Sequence, residues 1–424
     1  MKIAIVGSGI AGNTAARLLR DKHDITVFES ENYIGGHTHT VDVDSSAGPL
    51  AVDTGFIVFN DQTYPEFNRL LDAIEQKWQP SVMSFSVRSD AANLEYNGAS
   101  LDALFAQRRN LLRPSFIAMV REILRFNKEA PALLVRGDQG QTLHEYLQQH
   151  GYREDFSKYY LVPMAAAIWS AEPHAVLDMP VFFLVRFFLN HGLLQLKDRP
   201  RWRVIKGGSR EYVKRLVAGH HDRIRLGSPV REVRRSDMEV TVHTDAGPEQ
   251  FDSIFFACHS DQALALLKEP TALEQEVLSA IPYQRNEAVL HTDVSLMPRR
   301  RRAWAAWNYH LPAEAGGPVS VTYNMNILQS LPVPEQYLVT LNSSAQIADD
   351  KVLRRMHYDH PVFRRESIAA QARQSEINRG HRSYFCGAYW RNGFHEDGVV
   401  SAISAVRHFE EELASEQLHF RRAG

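Results

Sequence analysis

Two features of this sequence are best placed to do chemistry: the run Gly7-Ser8-Gly9-Ile10-Ala11-Gly12 and the acid Glu29. Glycines at this spacing cradle a pyrophosphate. Gly7 permits a tight turn, Gly9 lets a phosphate approach the backbone, and Gly12 lets a helix pack closely on a strand. Free amides at the helix start, and the positive end of its dipole, then hold the negative charge. Glu29 follows Gly12 by seventeen residues and is placed to accept hydrogen bonds from a ribose diol. A free 2′-hydroxyl is thereby favoured, hence FAD or NAD over NADP.

Those residues require particular elements around them. Lys2–Val6 is a continuous apolar run, as suits a parallel strand covered on both faces. Asn13–Arg20 reads as a helix and Asp24–Glu29 as a second strand. A glycine triplet alone is a weak signal, but here strand, helix, second strand and terminal acid agree. A dinucleotide site is expected.

Further along, helical patterns cover Ser115–Phe126, Thr142–His150 and Val181–Leu196. Strand patterns follow at Ile224–Leu226, Val230–Arg234, Glu239–Thr244 and Ser253–Ala257. A second alternating set, at Glu287–Asp293, Ala303–Tyr309, Val319–Asn326 and Tyr337–Leu341, suggests a mixed sheet walling a pocket. Ser383–Cys386 is the last strand and Val399–Ser415 the closing helix. No repeat or linker separates these parts, so interleaved modules are expected. The expected fold class is α/β: a Rossmann-like dinucleotide-binding domain from 1–75, 200–268 and 380–424, interleaved with an α+β substrate domain from 76–199 and 269–379. That second domain contains the mixed sheet and a helical lobe.

Composition narrows the function classes. The 424 residues are 44% hydrophobic and 23% charged, with a net charge of −2, so nucleic acid is not an expected partner. The two cysteines, Cys258 and Cys386, have no paired spacing, which argues against a disulfide scaffold or structural zinc. The pairs His37/His39 and His220-His221 lack accompanying ligands at metal spacing, so no metal is expected. No nucleophile elbow or Walker loop appears. The apolar run Met179–Leu189 is too short to span a bilayer and carries Arg186 at its middle. The expected location is the cytoplasm, with peripheral contact at the inner membrane as a variant. Two stretches offer that contact. Phe182–Leu189 meets a membrane, lines a lipophilic tunnel, or is simply a buried helix; Arg299–Arg302 attracts anionic lipid or is a solvated hairpin tip.

Glu31-Asn32-Tyr33-Ile34-Gly35-Gly36-His37-Thr38, followed by Val52-Asp53-Thr54-Gly55-Phe56, resembles the second glycine motif of the flavin amine oxidase superfamily. That superfamily also holds protoporphyrinogen oxidase and the phytoene desaturases. Lys206-Gly207-Gly208-Ser209, Ser228–Val233, Tyr384–Ala388 and Gly393–Val399 resemble its later motifs. The resemblance implies FAD, with contacts from Gly35, Gly36, His37, Val230, Gly387, Gly398 and Val399. It also implies a last helix whose N-terminus meets the flavin. Tyr33 and His37 stand where the family usually carries basic residues. Trp307-Asn308-Tyr309 and Thr322–Gln329 are similar to a bacterial subfamily commonly encoded beside cyclopropane-fatty-acid-synthase-like methyltransferases. The substrate this implies is an unsaturated or methylated fatty acyl chain.

Many amine oxidases keep a lysine on the substrate-domain sheet, yet no lysine occurs between Lys268 and Lys351. Candidate proton acceptors are His291, Tyr323 and His395, each with the plainer alternative of a hydrogen-bonded structural residue. Tyr389-Trp390 is a candidate pocket wall, and Trp390 joins Trp307, Tyr309 and Tyr323 in the surface expected to face the flavin. The expected activity is FAD-dependent desaturation or oxidation of a lipophilic, fatty-acyl-like substrate by hydride transfer. A flavin amine oxidase releasing hydrogen peroxide is the first alternative. A non-redox flavin-retaining lipid-binding protein or isomerase is the second.

Overall fold

The computed structural model describes residues 1–137, 140–195, 197–313 and 320–423. Leu196 and Val319, the outer ends of two expected elements, lie outside the described residues. Two sheets organise the chain. The first has five parallel strands in the order 224–225, 24–28, 2–6, 253–256, 383–385. Its central strands are mainly apolar because both faces are covered, with Lys2, Asp24 and Ser253 at their leading ends and Thr26 the one polar residue inside. The helix Ile10–Leu19 and the terminal helix His395–Ala423 bury Ala15, Ala16, Ala402 and Phe409 against Ile3, Ile5 and Val27 on one side. On the other side Ala4, Val6 and Phe256 meet the helices Ser260–Leu266 and Ala272–Ser279 and a small antiparallel sheet.

The second sheet is mixed, with seven strands in the order 352–361, 283–291, 338–341, 320–324, 307–311, 85–89, 94–97. Every pairing is antiparallel except that of 307–311 with 85–89. A helical lobe caps one face. Its helices Pro114–Glu129, Leu143–Gln149, Val162–Trp169 and Val181–Asn190 share a core with Val87, Tyr309 and Val321. A third small sheet, in the order 58–60, 202–205, 78–80, ties the lobes together.

The Phe-rich stretch is a core helix that also gives Phe187 to the lining of the central cavity. Phe183, Leu184, Phe187 and Phe188 are buried, each such side chain contributing about 1.5–3 kcal/mol. Arg186 stays exposed, its guanidinium lying over Phe182 and Phe183. The helix therefore offers a membrane no apolar face. Arg299–Arg302 is not a hairpin tip either. The strands 283–291 and 307–311 have two others between them, so this segment is a crossover. Arg299 pairs with Asp90 at 2.9 Å and Arg300 with Glu95 at 3.3 Å. Among the described residues no helix is long and apolar enough to cross a membrane.

Candidate active site

A cavity of about 1090 Å³ runs from the first glycine loop to the helical lobe. At its first end backbone geometry decides everything. Gly7 sits at φ +101°, and a side chain there would press on the Ala257 carbonyl oxygen at 2.9 Å. A Cβ on Gly12 would overlap the Gly7 carbonyl oxygen, so this residue lies behind the loop and holds helix to strand. Gly9 differs: a Cβ there would meet nothing within 4 Å, because it faces the cavity. The helix it opens has no side-chain cap, which leaves first-turn amides free for an anion. Gly36 packs against Gly9, so the second glycine turn completes the cradle.

Glu29 closes the strand Asp24–Phe28 and faces the same space. One carboxylate oxygen accepts from the Ser8 amide at 2.9 Å and the Ser8 hydroxyl at 2.6 Å. The other accepts from the Glu31 amide at 2.9 Å. The acid is thus fixed beside the glycine loop. Val230 lies outside the cavity lining and packs against the apolar core behind the sheet. Its segment nevertheless runs past Glu29, since the Ser228 amide donates to the Glu29 carbonyl at 2.8 Å.

His37 lines the cavity with its Nε2 unpartnered. Its ring lies 5.9 Å from His259, 5.5 Å from His360 and 5.1 Å from Tyr358. Burial pushes His37 and His259 down to about 4 and His360 to about 3, which keeps all three neutral at pH 7. No group among the described residues is arranged to hold a metal ion. The open face of Gly9, the uncapped helix and the orphaned His37 nitrogen fit a dinucleotide. His259 and His360 are additions that the sequence reading passed over. His259 follows the carboxyl end of the strand 253–256, where ligands of parallel sheets gather, and that position was the available signal.

The middle of the cavity is built by three distant segments. His395 opens the terminal helix, and its Nε2 lies 2.8 Å from the Thr38 hydroxyl and 2.9 Å from that of Tyr212. Those two hydroxyls are 2.6 Å apart, and the imidazole stacks on Phe56 at 3.4 Å. Burial drives the His395 pKa well below its ordinary value. Tyr212 is delivered by the helix Arg210–Val217, whose leading Ser209 amide donates to buried Asp53 at 2.8 Å. Glu396 accepts from the Glu66 and Phe67 amides and so caps the helix Pro65–Ala73. Gly387 lines the cavity. Gly398 and Val399 do not: a Cβ on Gly398 would lie 2.7 Å from Ile10 Cγ2, and Val399 is buried in a neighbouring core. Both bring the terminal helix against the glycine-loop helix.

The far end divides the remaining candidates. Trp307 and Tyr323 are cross-strand partners that line the cavity, with rings edge to face at 5.3 Å. The Tyr323 hydroxyl donates to the Ala167 carbonyl at 3.3 Å, and burial pushes the phenol up to about 12. Tyr309 shares the face of Trp307 but sits farther along the strand, buried under the helical lobe. Trp390 is also outside the lining. The short 3₁₀ turn Ala388–Trp390 aims Tyr389 at the cavity and Trp390 into the core behind the parallel sheet.

His291 is farther still. Its Nδ1 accepts from the Asp293 amide at 3.1 Å, which places the proton on Nε2, donating to Thr340 at 2.7 Å. It is a buried structural imidazole away from the cavity. The two cysteines, distant in sequence, end adjacent parallel strands as free thiols. Burial pushes the Cys258 thiol up to about 12.

Comparison with known proteins agrees with this geometry. Cyclohexylamine oxidase from Brevibacterium oxydans IH-35A superposes with a TM-score of 0.69 at 15% identity, covering 97% of this chain and 99% of its own. Wild-type putrescine oxidase bound to putrescine gives 0.65 at 13% identity, covering 96% and 99%. A CLA-producing fatty acid isomerase from P. acnes gives 0.66 at 16% identity, covering 96% and 98%. At such identities the likeness is one of fold. The family model for flavin containing amine oxidoreductase matches residues 10–300, more than half of the chain, including Glu29 and the second glycine turn. The chain accordingly belongs to the flavin containing amine oxidoreductases, and it is an FAD-dependent oxidoreductase.

Proposed function

We propose that this oxidoreductase desaturates or oxidises a lipophilic acyl chain. The observation that carries the reading is the chemistry of the cavity beyond His395. Leu101, Leu104, Val120, Ile123, Met164 and Ile168 line it. Arg199 is the only lysine or arginine among the described lining residues. The lining acids are Glu29 and Asp359, and both belong to the dinucleotide end, since the Asp359 backbone bonds His37. An ammonium entering the apolar end would lose its hydration and gain no carboxylate, whereas a hydrocarbon chain loses nothing there. A cation such as Arg199 suits a carboxylate or phosphate head instead.

FAD, when bound, supplies the hydride acceptor, and the protein supplies position and dryness. His37, Glu29 and the glycine loops would hold its dinucleotide part. Trp307, Tyr323 and Tyr389 would confine the chain. Tyr323 keeps its proton and is tied to a carbonyl, while Nε2 of His395 is engaged by two hydroxyls. His291 is out of reach. Neither Tyr323 nor His291 is free to take a proton, so the proton that leaves the neighbouring carbon as the double bond forms would pass to the reduced flavin or to water at the cavity mouth.

The isomerase among the structural neighbours favours a second reading, in which the hydride returns to a different carbon of the same chain. Anaerobic titration of the flavin-loaded protein tests both. Saturated or cis-unsaturated fatty acids should bleach the visible flavin band, and putrescine or cyclohexylamine should not. Bleaching by the amines alone would overturn the acyl reading. An acyl chain that emerges isomerised while the flavin stays oxidised would select the second.

A further inference from the structure

We propose that the mouth of the acyl end docks on an anionic lipid surface and takes its substrate from there; the proposal rests on the acyl reading above. Leu101 and Leu124 line the cavity, yet they are 77% and 48% exposed. A side chain that touches both cavity and solvent marks an opening. The surface beside this opening is unusually apolar. Of the fourteen exposed large apolar side chains among the described residues, five lie between Leu101 and Val135. Leu111 and Leu112 stand side by side on the 3₁₀ turn Arg108–Leu112, and Leu112 is 88% exposed. Leucines so placed sit stably in the interfacial layer of a bilayer and poorly in water.

Helix periodicity explains how one element serves both inside and outside. Along Pro114–Glu129, the stripe Val120, Ile123, Leu124, Asn127 faces the cavity, while Phe116, Met119 and Phe126 face the lobe core. Arg121 and Lys128 are left on the solvent side. The charge of the region is opposite to that of the chain. Residues 101–136 hold seven Lys and Arg against three acids, a net +4, within a protein of net −2. Several of these cations are not neutralised: Arg109 and Arg113 donate to the backbone carbonyls of Asn93 and Ala92 rather than to carboxylates. Exposed leucines ringed by cations at a cavity mouth complement the acyl layer and the anionic head groups of a membrane. A second copy of the chain, which would bring like charge against like, does not.

Sedimentation of the flavin-loaded protein with vesicles tests this. The protein should pellet with phosphatidylcholine–phosphatidylglycerol vesicles, far less with phosphatidylcholine alone, and come off as salt rises. The double variant Leu111→Glu/Leu112→Glu should lower the bound fraction about tenfold. Its flavin spectrum, and its bleaching by a soluble short-chain fatty acid, should be unchanged, because neither leucine lines the cavity. Leu353→Glu, an exposed leucine on the edge strand Val352–Pro361, should pellet like the wild type. Arg121→Gln/Lys128→Gln should weaken only the salt-sensitive part. Wild-type protein that stays in the supernatant with anionic vesicles overturns the proposal, as does a double variant that pellets undiminished or leucine-dependent self-association without vesicle binding. Bleaching by soluble acyl chains without vesicle binding removes the docking surface and leaves the acyl reading. Vesicle binding with neither bleaching nor an isomerised acyl chain removes the acyl reading and leaves the docking surface.

Discussion

The two ends of the cavity are made of different materials. At the dinucleotide end, backbone does the work: glycine turns, an uncapped helix and one carboxylate held by Ser8. At the apolar end, side chains from several helices and a sheet supply most of the surface, and the backbone reaches it only at points such as Gly98 and Gly192. Backbone sites admit very few residue types, because a Cβ in the wrong place meets a carbonyl rather than a yielding side chain. Apolar walls admit many substitutions of similar volume. Damage at the first end should therefore be all-or-none, and damage at the second graded.

The largest effect that would break this contrast is expected at Gly12. Gly12→Val forces a side chain into the Gly7 carbonyl, so a loss of about 3 kcal/mol or more is expected, read as missing soluble protein or a collapsed Tm. Gly9→Val is next, and its outcome differs in kind. The space is open, so the fold should melt within about 1 kcal/mol of flavin-free wild type, yet the purified protein should be colourless. A yellow Gly9→Val protein would refute the cradle. At the other end, Ile123→Trp should keep its flavin and slow anaerobic bleaching by long acyl chains about tenfold, or roughly 1.4 kcal/mol. Flavin loss in that variant would mean the two ends are not separable.

The smallest expected effect concerns acid. The folded pKa of His291 is pushed down to about 4 by burial, from an ordinary 6.5. Its contribution to stability is therefore present above 6.5 and is lost as pH falls toward 4, because the unfolded chain binds the proton first. His291→Gln should narrow the fall in Tm between about pH 7.5 and pH 5 by a few degrees while leaving bleaching unchanged. A change in bleaching would return His291 to the reaction.

Legibility in the sequence follows the same division. Gly7, Gly9 and Gly12 were readable because each answers a local backbone demand, and Glu29 because it ends the strand that follows their helix. Trp390 was misplaced because in a 3₁₀ turn neighbours point about 120° apart, so Tyr389 alone reaches the cavity. Tyr309 has the right strand parity, but a lobe contributed by residues more than a hundred positions away covers it. The edge strand Val352–Pro361 escaped notice because Arg354, Arg355 and His357 interrupt its apolar pattern, as suits an exposed sheet edge. His259 had its place after a parallel strand as a signal, but His360 meets His37 only through the tertiary fold, and no spacing along the chain announces that.

The order of strands in the parallel sheet has a bearing on biogenesis. Strands 2–6 and 24–28 leave the ribosome early, but their neighbour 253–256 and the edge 383–385 come hundreds of residues later. Gly398, which lets the terminal helix settle on Ile10, comes later again. Pairings so remote in sequence form slowly and leave apolar strand faces uncovered in the meantime. The parallel sheet that carries the glycine loop therefore cannot be completed until strand 383–385 and the helix behind it have been made.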